Sequence, residues 1–160
     1  MKVIIFLDVD GVIDPRILRG GSNYGDELEF VVDSRIAESI QRISKAADIV
    51  WLTAWPYDQV ASLGAQMGVE SRIISLGSQN IYHSNTAIKS NEISSWLNRR
   101  WVMERLYWDA IVWVDDELGP KEANWAEFQI QPTLLVPIRP KSGLAIKHVQ
   151  NILEFCAGFK

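Results

Sequence analysis

Hydrophobic and polar positions along the chain fall into two alternating patterns. Short runs are almost wholly apolar: Lys2 to Leu7, Ile49-Val50-Trp51-Leu52, Ala110 to Val114 and Thr133 to Val136, with a weaker one from Arg72 to Leu76. Runs of this kind predict strands buried on both faces, as in a parallel sheet. Between them, apolar residues return at helical spacing. Ile36, Ile40 and Ile43 share one face of a helix predicted from Arg35 to Ala46, capped by Asp33 or Ser34. Pro56 suits the first turn of a helix over Tyr57 to Met67, and Gly68 would stop it. From Ala87-Ile88-Lys89 a long helical pattern carries Ile93, Trp96, Leu97, Trp101 and Leu106. Gly119 to Phe128 is a short helix with Trp125 inward, and Leu144 to about Phe155 is the last, behind Gly143. Strand-helix alternation throughout predicts an α/β fold: a three-layer, doubly wound parallel sheet of about five strands with right-handed crossovers.

Composition narrows the class. A chain of 160 residues is expected to form one domain over 1–160, and 48% hydrophobic residues argue against disorder. The net charge of −4 does not advertise a nucleic-acid surface. Arg99, Arg100 and Arg105 cluster on one helix, read first as a solvated face. The single cysteine, Cys156, allows no internal disulfide and fits a reducing cytosol. The run after Lys2 is too short for a cleavable signal and is broken by Asp8. No apolar stretch approaches the roughly 20 residues that cross a bilayer, so no membrane role is expected. Most of the seven tryptophans should be core. For Trp101, Tyr107 and Trp108, burial against the sheet is preferred over an exposed patch that would serve as a dimer contact. Nothing in the sequence specifies an oligomeric state. His83 and His148 show no metal spacing.

Three predicted strands end in polar groups at what should be one edge of the sheet. They are Asp8 with Asp10, Thr53, and Asp115 with Asp116. In open α/β sheets, ligands bind outside the carboxyl ends of the strands. Gly11 would let the chain turn sharply there and pass close to a ligand. Lys89 stands at the start of the helix leading to the fourth strand. Each residue has a bland reading: Asp8-Val9-Asp10-Gly11 as a strand-ending turn, Thr53 as a helix cap, Lys89 as a surface lysine, and Asp115 and Asp116 as caps of the next helix. Together they resist it. Folding does not call for four carboxylates at one crevice, where like charges repel and raise one another's pKa. A divalent cation and a lysine would offset them.

The constellation resembles the haloacid dehalogenase-like (HAD) superfamily, and within it the phosphatases. Asp8-Val9-Asp10-Gly11-Val12 looks like its first motif, Leu52-Thr53 its second, Lys89 its third and Val114-Asp115-Asp116 its fourth, in matching order. Leu52-Thr53-Ala54-Trp55, Val112-Trp113-Val114-Asp115-Asp116 and the segment from Pro140 to His148 resemble the HAD domain associated with Swiss Army Knife RNA-repair proteins. The resemblance implies a Rossmann-like HAD fold and a Mg²⁺-dependent phosphatase. Asp8 would attack phosphorus and form an aspartyl-phosphate. Asp10 would protonate the leaving group, then deprotonate water. Thr53 would donate to a phosphoryl oxygen, and Lys89 would neutralise charge on nucleophile and phosphate. Mg²⁺ would sit between Asp8, the Asp10 carbonyl and Asp115. Asp116 would be a direct ligand, a water-mediated one, or an orienter of Lys89. Substrate contacts would come from Thr53, Ala54, Lys89, Trp55 and Tyr24. Dehalogenases of the superfamily lack the second acid, so Asp10 favours phosphoryl transfer.

Phosphatases of this superfamily often carry a cap domain. Here the insert after Asp10 is short, about Asp14 to Asp33, and the Thr53–Lys89 interval holds little beyond a helix and a strand. A near-capless enzyme with a flap is expected, its phosphorylated substrate either a small molecule or a macromolecular end. Arg16, Arg19 and Tyr24 would lie in the flap. Trp55 and Tyr57 would border the pocket, where stacking a base is the alternative to core packing. A nucleic-acid-end phosphatase is the second reading. A phosphate-sensing or protein-binding module without turnover is the rival from another class. A response-regulator receiver would need its phospho-acceptor on a middle strand and its lysine on a late one, which this order does not give.

Overall fold

A computed structural model of the chain describes residues 1–13, 32–76 and 86–159, with 86–88 described by their backbone alone. The predicted flap, including Arg16, Arg19 and Tyr24, lies outside the described residues apart from Val32 and Asp33. So does the segment 77–85, which contains His83.

Five apolar runs become the strands β1 (Val3–Leu7), β2 (Asp48–Thr53), β3 (Arg72–Ser75), β4 (Ala110–Asp115) and β5 (Thr133–Pro137). They form one all-parallel sheet in the order β3-β2-β1-β4-β5. The helices are α1 (Ser34–Ser44), α2 (Tyr57–Gln66), α3 (Thr86–Glu104), α4 (Pro120–Glu127) and α5 (Ile146–Ala157). The chain steps outward from β1 to β3, then returns through α3 to β4 on the other side of β1 and continues to β5. Winding therefore reverses between β1 and β4, the place where a doubly wound sheet opens a ligand crevice.

Alternation along each strand feeds two cores. Val3, Ile5 and Leu7 of β1, Trp51 of β2, and Val112 and Val114 of β4 face a cluster completed by residues of α1, α2 and α5. Ile4 and Phe6, Val50 and Leu52, and Ile111 and Trp113 face the opposite cluster, completed by Ile93 and Trp96 of α3 and by Trp108. Neighbouring side chains on a strand point to opposite faces. A strand covered by helices on both sides is apolar at every position, and all five residues of β1 are buried.

Helix ends follow local hydrogen bonding more closely than apolar spacing. Asp33 caps α1, its carboxylate accepting from the Arg35 N–H at 2.8 Å. Pro56 is the N-cap of α2, one position earlier than the first helical turn. The α3 pattern was expected to carry Leu106, but the helix ends at Glu104. Arg105 takes the left-handed conformation (φ 55°). The Arg105 and Leu106 N–H groups then close on the carbonyls of Trp101 and Arg100 at 3.1 and 3.2 Å. Helix α5 begins two residues after Leu144, whose N–H donates instead to the Val12 carbonyl at 2.8 Å.

Of the three aromatic residues expected to be buried against the sheet, Trp108 is, its indole donating to Asp48 at 2.7 Å. Trp101 and Tyr107 instead stay about half exposed, as an edge-on pair with ring centroids 6.0 Å apart. The arginine cluster is also broken up. Arg105 lies past the end of α3, while Arg100 pairs with Glu104 and stacks 5.0 Å over the Trp96 ring.

Candidate functional site

The last residues of β1 and β4 are locked side by side by the sheet. Leu7 pairs with Val114, and the Asp8 N–H extends the ladder to the Val114 carbonyl at 3.1 Å. The next side chains, Asp8 and Asp115, therefore emerge as neighbours. Both are buried, as is Thr53 at the end of β2. Asp8, Asp115 and Asp116 each place a carboxylate oxygen within 4.8 Å of the others'. Lys89 reaches in from the first turn of α3, its ammonium 2.6 Å from Asp8 Oδ2 and 2.8 Å from Asp115 Oδ2. The remaining oxygens are held by the backbone: Val9 N–H donates to Asp8 Oδ1 at 2.7 Å and Glu117 N–H to Asp115 Oδ1 at 3.0 Å. The Trp113 indole adds a donor to Asp115 Oδ2 at 3.1 Å.

These contacts bear on the bland readings. Asp115 accepts from a residue two positions on, but the N-cap of α4 is Gly119, so neither Asp115 nor Asp116 caps that helix. Thr53 does not cap α2, whose N-cap is Pro56. Its hydroxyl accepts from the Trp55 N–H at 3.2 Å, and among the described residues its own proton has no protein acceptor. Lys89 is not a solvated lysine: its side chain is 12% exposed and it lies between two carboxylates. Of the roles foreseen for Asp116, orienting Lys89 falls to Asp8 and Asp115. Among the described residues, Asp116 forms no ion pair with the lysine. The close approach expected at Gly11 is to Asp116. Gly11 has φ +66°, and a Cβ there would lie 2.2 Å from Asp116 Oδ2.

Other predicted residues are placed differently. Asp10 is half-buried and receives the Trp55 indole N–H on Oδ1 at 2.8 Å. The ring packs against the core beneath it, as expected in preference to base stacking, while Tyr57 is 65% exposed. Ala54 is half-buried in the turn between Thr53 and Trp55. Tyr24 lies outside the described residues. His148 has a capping role, its Nδ1 accepting from the Ala145 N–H at 3.0 Å. Burial and the neighbouring Lys147 hold its pKa down, consistent with a neutral ring that accepts. Sequence reasoning missed the donor role of Trp113. The signal was its position two residues before Asp115, which puts both on one face of β4.

Electrostatics follow from crowding. Burial, and then Asp115, push the Asp8 carboxyl up to about 8 despite the adjacent ammonium. Burial and Asp115 likewise raise Asp116 to about 6. Burial works against the Lys89 ammonium, but Asp8 and Asp115 outweigh it and hold the lysine pKa above its ordinary value. Three acids around one lysine leave an excess of negative charge on hard oxygen donors. That donor set fits a hard divalent cation, which would compete with the protons these carboxyls otherwise retain. Gly11→Ala tests the packing of the third acid. Its left-handed backbone alone should cost about 1–2 kcal/mol, and displacement of Asp116 should weaken divalent-cation binding. Thermal melts and a cation titration measure both; unchanged stability and affinity would contradict the Gly11–Asp116 approach.

A search of curated proteins found no match. Residues 4–149 match the family described as the HAD domain in Swiss Army Knife RNA repair proteins, a span that takes in every strand's site-bearing end. The all-parallel sheet is the Rossmann-like fold of a hydrolase-type HAD domain, and the chain belongs to that HAD family.

Proposed function

We propose that this protein is a Mg²⁺-dependent phosphomonoester hydrolase acting through an aspartyl-phosphate on Asp8. The observation that carries the reading is the separation of the two carboxyls of the first motif. Asp8 is drawn into the cluster with Lys89, Asp115 and Asp116, while Asp10 is held by the Trp55 indole. A nucleophile and a proton carrier need such different surroundings. Asp8 would attack phosphorus as the bond to the ester oxygen breaks, with Asp10 giving its proton to the departing oxygen. Water would then attack the phosphorus of the aspartyl-phosphate, its proton passing to Asp10 as the bond to Asp8 breaks. The Thr53 hydroxyl, accepting from the Trp55 N–H, has its proton to offer a phosphoryl oxygen. Lys89 balances charge on Asp8 throughout. Asp8, Asp115 and Asp116 would hold Mg²⁺, which when bound supplies positive charge beside the phosphoryl oxygens. With Cys156 its one cysteine, the protein suits the cytosol.

A second reading, a phosphatase acting on nucleic-acid ends, is favoured by the RNA repair proteins in which the matched family is described. The surface argues against wide electrostatic docking, because Arg100 is engaged by Glu104 and Trp96 and the net charge is −4. Assays of 3′- and 5′-phosphorylated oligonucleotides beside small phosphate esters separate the two. Turnover of oligonucleotide ends at least tenfold above the small esters, with salt-sensitive KM, would select this reading.

Two further outcomes test the site. Asp8→Asn should fold and lose phosphatase activity by at least about 10³-fold; full activity would overturn the nucleophile assignment. The pH dependence has a definite sign. Asp8 and Asp116 hold protons in the folded protein that the unfolded chain, at the ordinary value of 3.8, has released. That contribution to metal-free stability is complete below about pH 4 and is lost as pH rises through about 6 and then about 8. Mg²⁺ should therefore stabilise more at pH 8 than at pH 6. At about 100 times its Kd, it adds about 2.7 kcal/mol, on the order of 5–10 °C in Tm for a chain of this size. Melts with EDTA and with Mg²⁺ at both pH values check this; a larger Mg²⁺ shift at pH 6 would refute it.

A further inference from the structure

Among the described residues, Trp55 is held by two backbone hydrogen bonds and by packing of its ring. Its N–H donates to the Thr53 hydroxyl at 3.2 Å, its carbonyl accepts from the Ser75 hydroxyl at 2.8 Å, and its half-buried ring packs on the core below the site. With the backbone tied to the ends of β2 and β3, the direction of the indole N–H is set by the fold. That N–H donates to Asp10 Oδ1 at 2.8 Å. An indole nitrogen is a donor only and does not titrate. Asp10 Oδ1 therefore accepts whether the carboxyl is protonated or ionised, and a transferable proton belongs on Oδ2. A lysine or arginine in place of the indole would also orient the carboxyl, but would favour its ionised form and oppose the acid step. A neutral donor fixes direction without adding charge.

We infer that Trp55 is a positioning residue for the acid/base carboxyl. It presents Asp10 Oδ2 to the leaving-group oxygen and does not serve as a stacking platform for substrate. The inference rests on the phosphohydrolase reading above, and it makes a prediction that simple packing does not. A misdirected acid matters in proportion to how much the leaving group needs a proton. Positioned proton transfer contributes roughly 10²–10⁴-fold, and most of that is at stake for an alkoxide and little for a stabilised phenolate.

The test compares the 160-residue chain with its Trp55→Phe variant, which keeps an aromatic ring but lacks the N–H. The probes, with Mg²⁺, are p-nitrophenyl phosphate, phenyl phosphate and a simple alkyl phosphate. The expected result is a loss of kcat/KM at least tenfold larger for the alkyl ester than for p-nitrophenyl phosphate, with phenyl phosphate between. Equal losses across the series, or none, would overturn the inference while leaving the phosphohydrolase reading intact. A wild-type chain inactive on every ester would overturn both. A second measurement does not depend on the variant's folding. In ¹⁵N–¹H spectra of the Asp10→Ala protein, one indole N–H resonance should move toward the position of an unbonded indole. An indole region unchanged from wild type would overturn the inference.

Discussion

A single ammonium group reconciles the fold with its site. The sheet forces Asp8 and Asp115 together, because β1 and β4 are adjacent and in register up to the last pair before the acids. Neither can move away without breaking the ladder. Removing a carboxylate from water costs several kcal/mol unless it is paired, and here two are removed side by side. Lys89 lies within 2.6–2.8 Å of both. Its place in the first turn of α3 runs against helix electrostatics, which favour acids at that end. The lysine is thus not there for the helix. Helix α3 returns the chain across the sheet, so its first turn stands over the strand ends where the acids emerge. One positive charge for three acids leaves the balance to whatever the site binds.

Tryptophan supplies the complementary device. Seven indoles are many for this length, and Trp55, Trp108, Trp113 and Trp125 each combine a large apolar ring with one donor that is used. Trp113 buries its body in one core and gives its N–H to Asp115. Trp55 does the same with Asp10 from the other face. Far from the site, Trp108 bonds Asp48 and Trp125 bonds Ser94. In each case the ring fills space while the N–H fixes a polar group without adding charge. At the strand ends this divides the labour: lysine sets the charge balance, and the indoles set direction.

The sheet was legible because burial on both faces leaves an unmistakable mark, an unbroken apolar run. Asp8, Thr53 and Asp115 were legible because polar residues that terminate such runs must emerge at the same edge of a parallel sheet. Helix ends were less so. Leu106 kept the apolar spacing of α3, yet the left-handed turn at Arg105, at a residue type that gives no warning, ended the helix first. Leu144 belonged to the α5 pattern until its N–H was taken by Val12, more than a hundred residues away. Trp55 shows the same limit. Its neighbourhood to Thr53 was readable, but its bond to Asp10 spans 45 positions and depends on how two turns face each other. Local pattern encodes periodicity and burial; it does not encode which distant donor completes a carboxylate.

Those turns differ mechanically from the strand ends. The carboxylates of Asp8 and Asp115 are placed by the ladder itself, whose register fixes them to within the play of one side chain. Asp10 lies beyond the ladder, and its direction is inherited through a relay. The hydroxyl of Ser75, at the end of β3, holds the Trp55 carbonyl, and the Trp55 indole holds Asp10. On the other flank the Leu144 N–H ties the turn after Asp10 to the loop before α5, and the Ile138 N–H ties the end of β4 to the same loop. Asp10 is thereby set by the edge strands and their loops, while Asp8 is set by the centre of the sheet. Changes at β3 or in the loop after β5 can therefore re-aim Asp10 with the Asp8–Lys89–Asp115 cluster undisturbed.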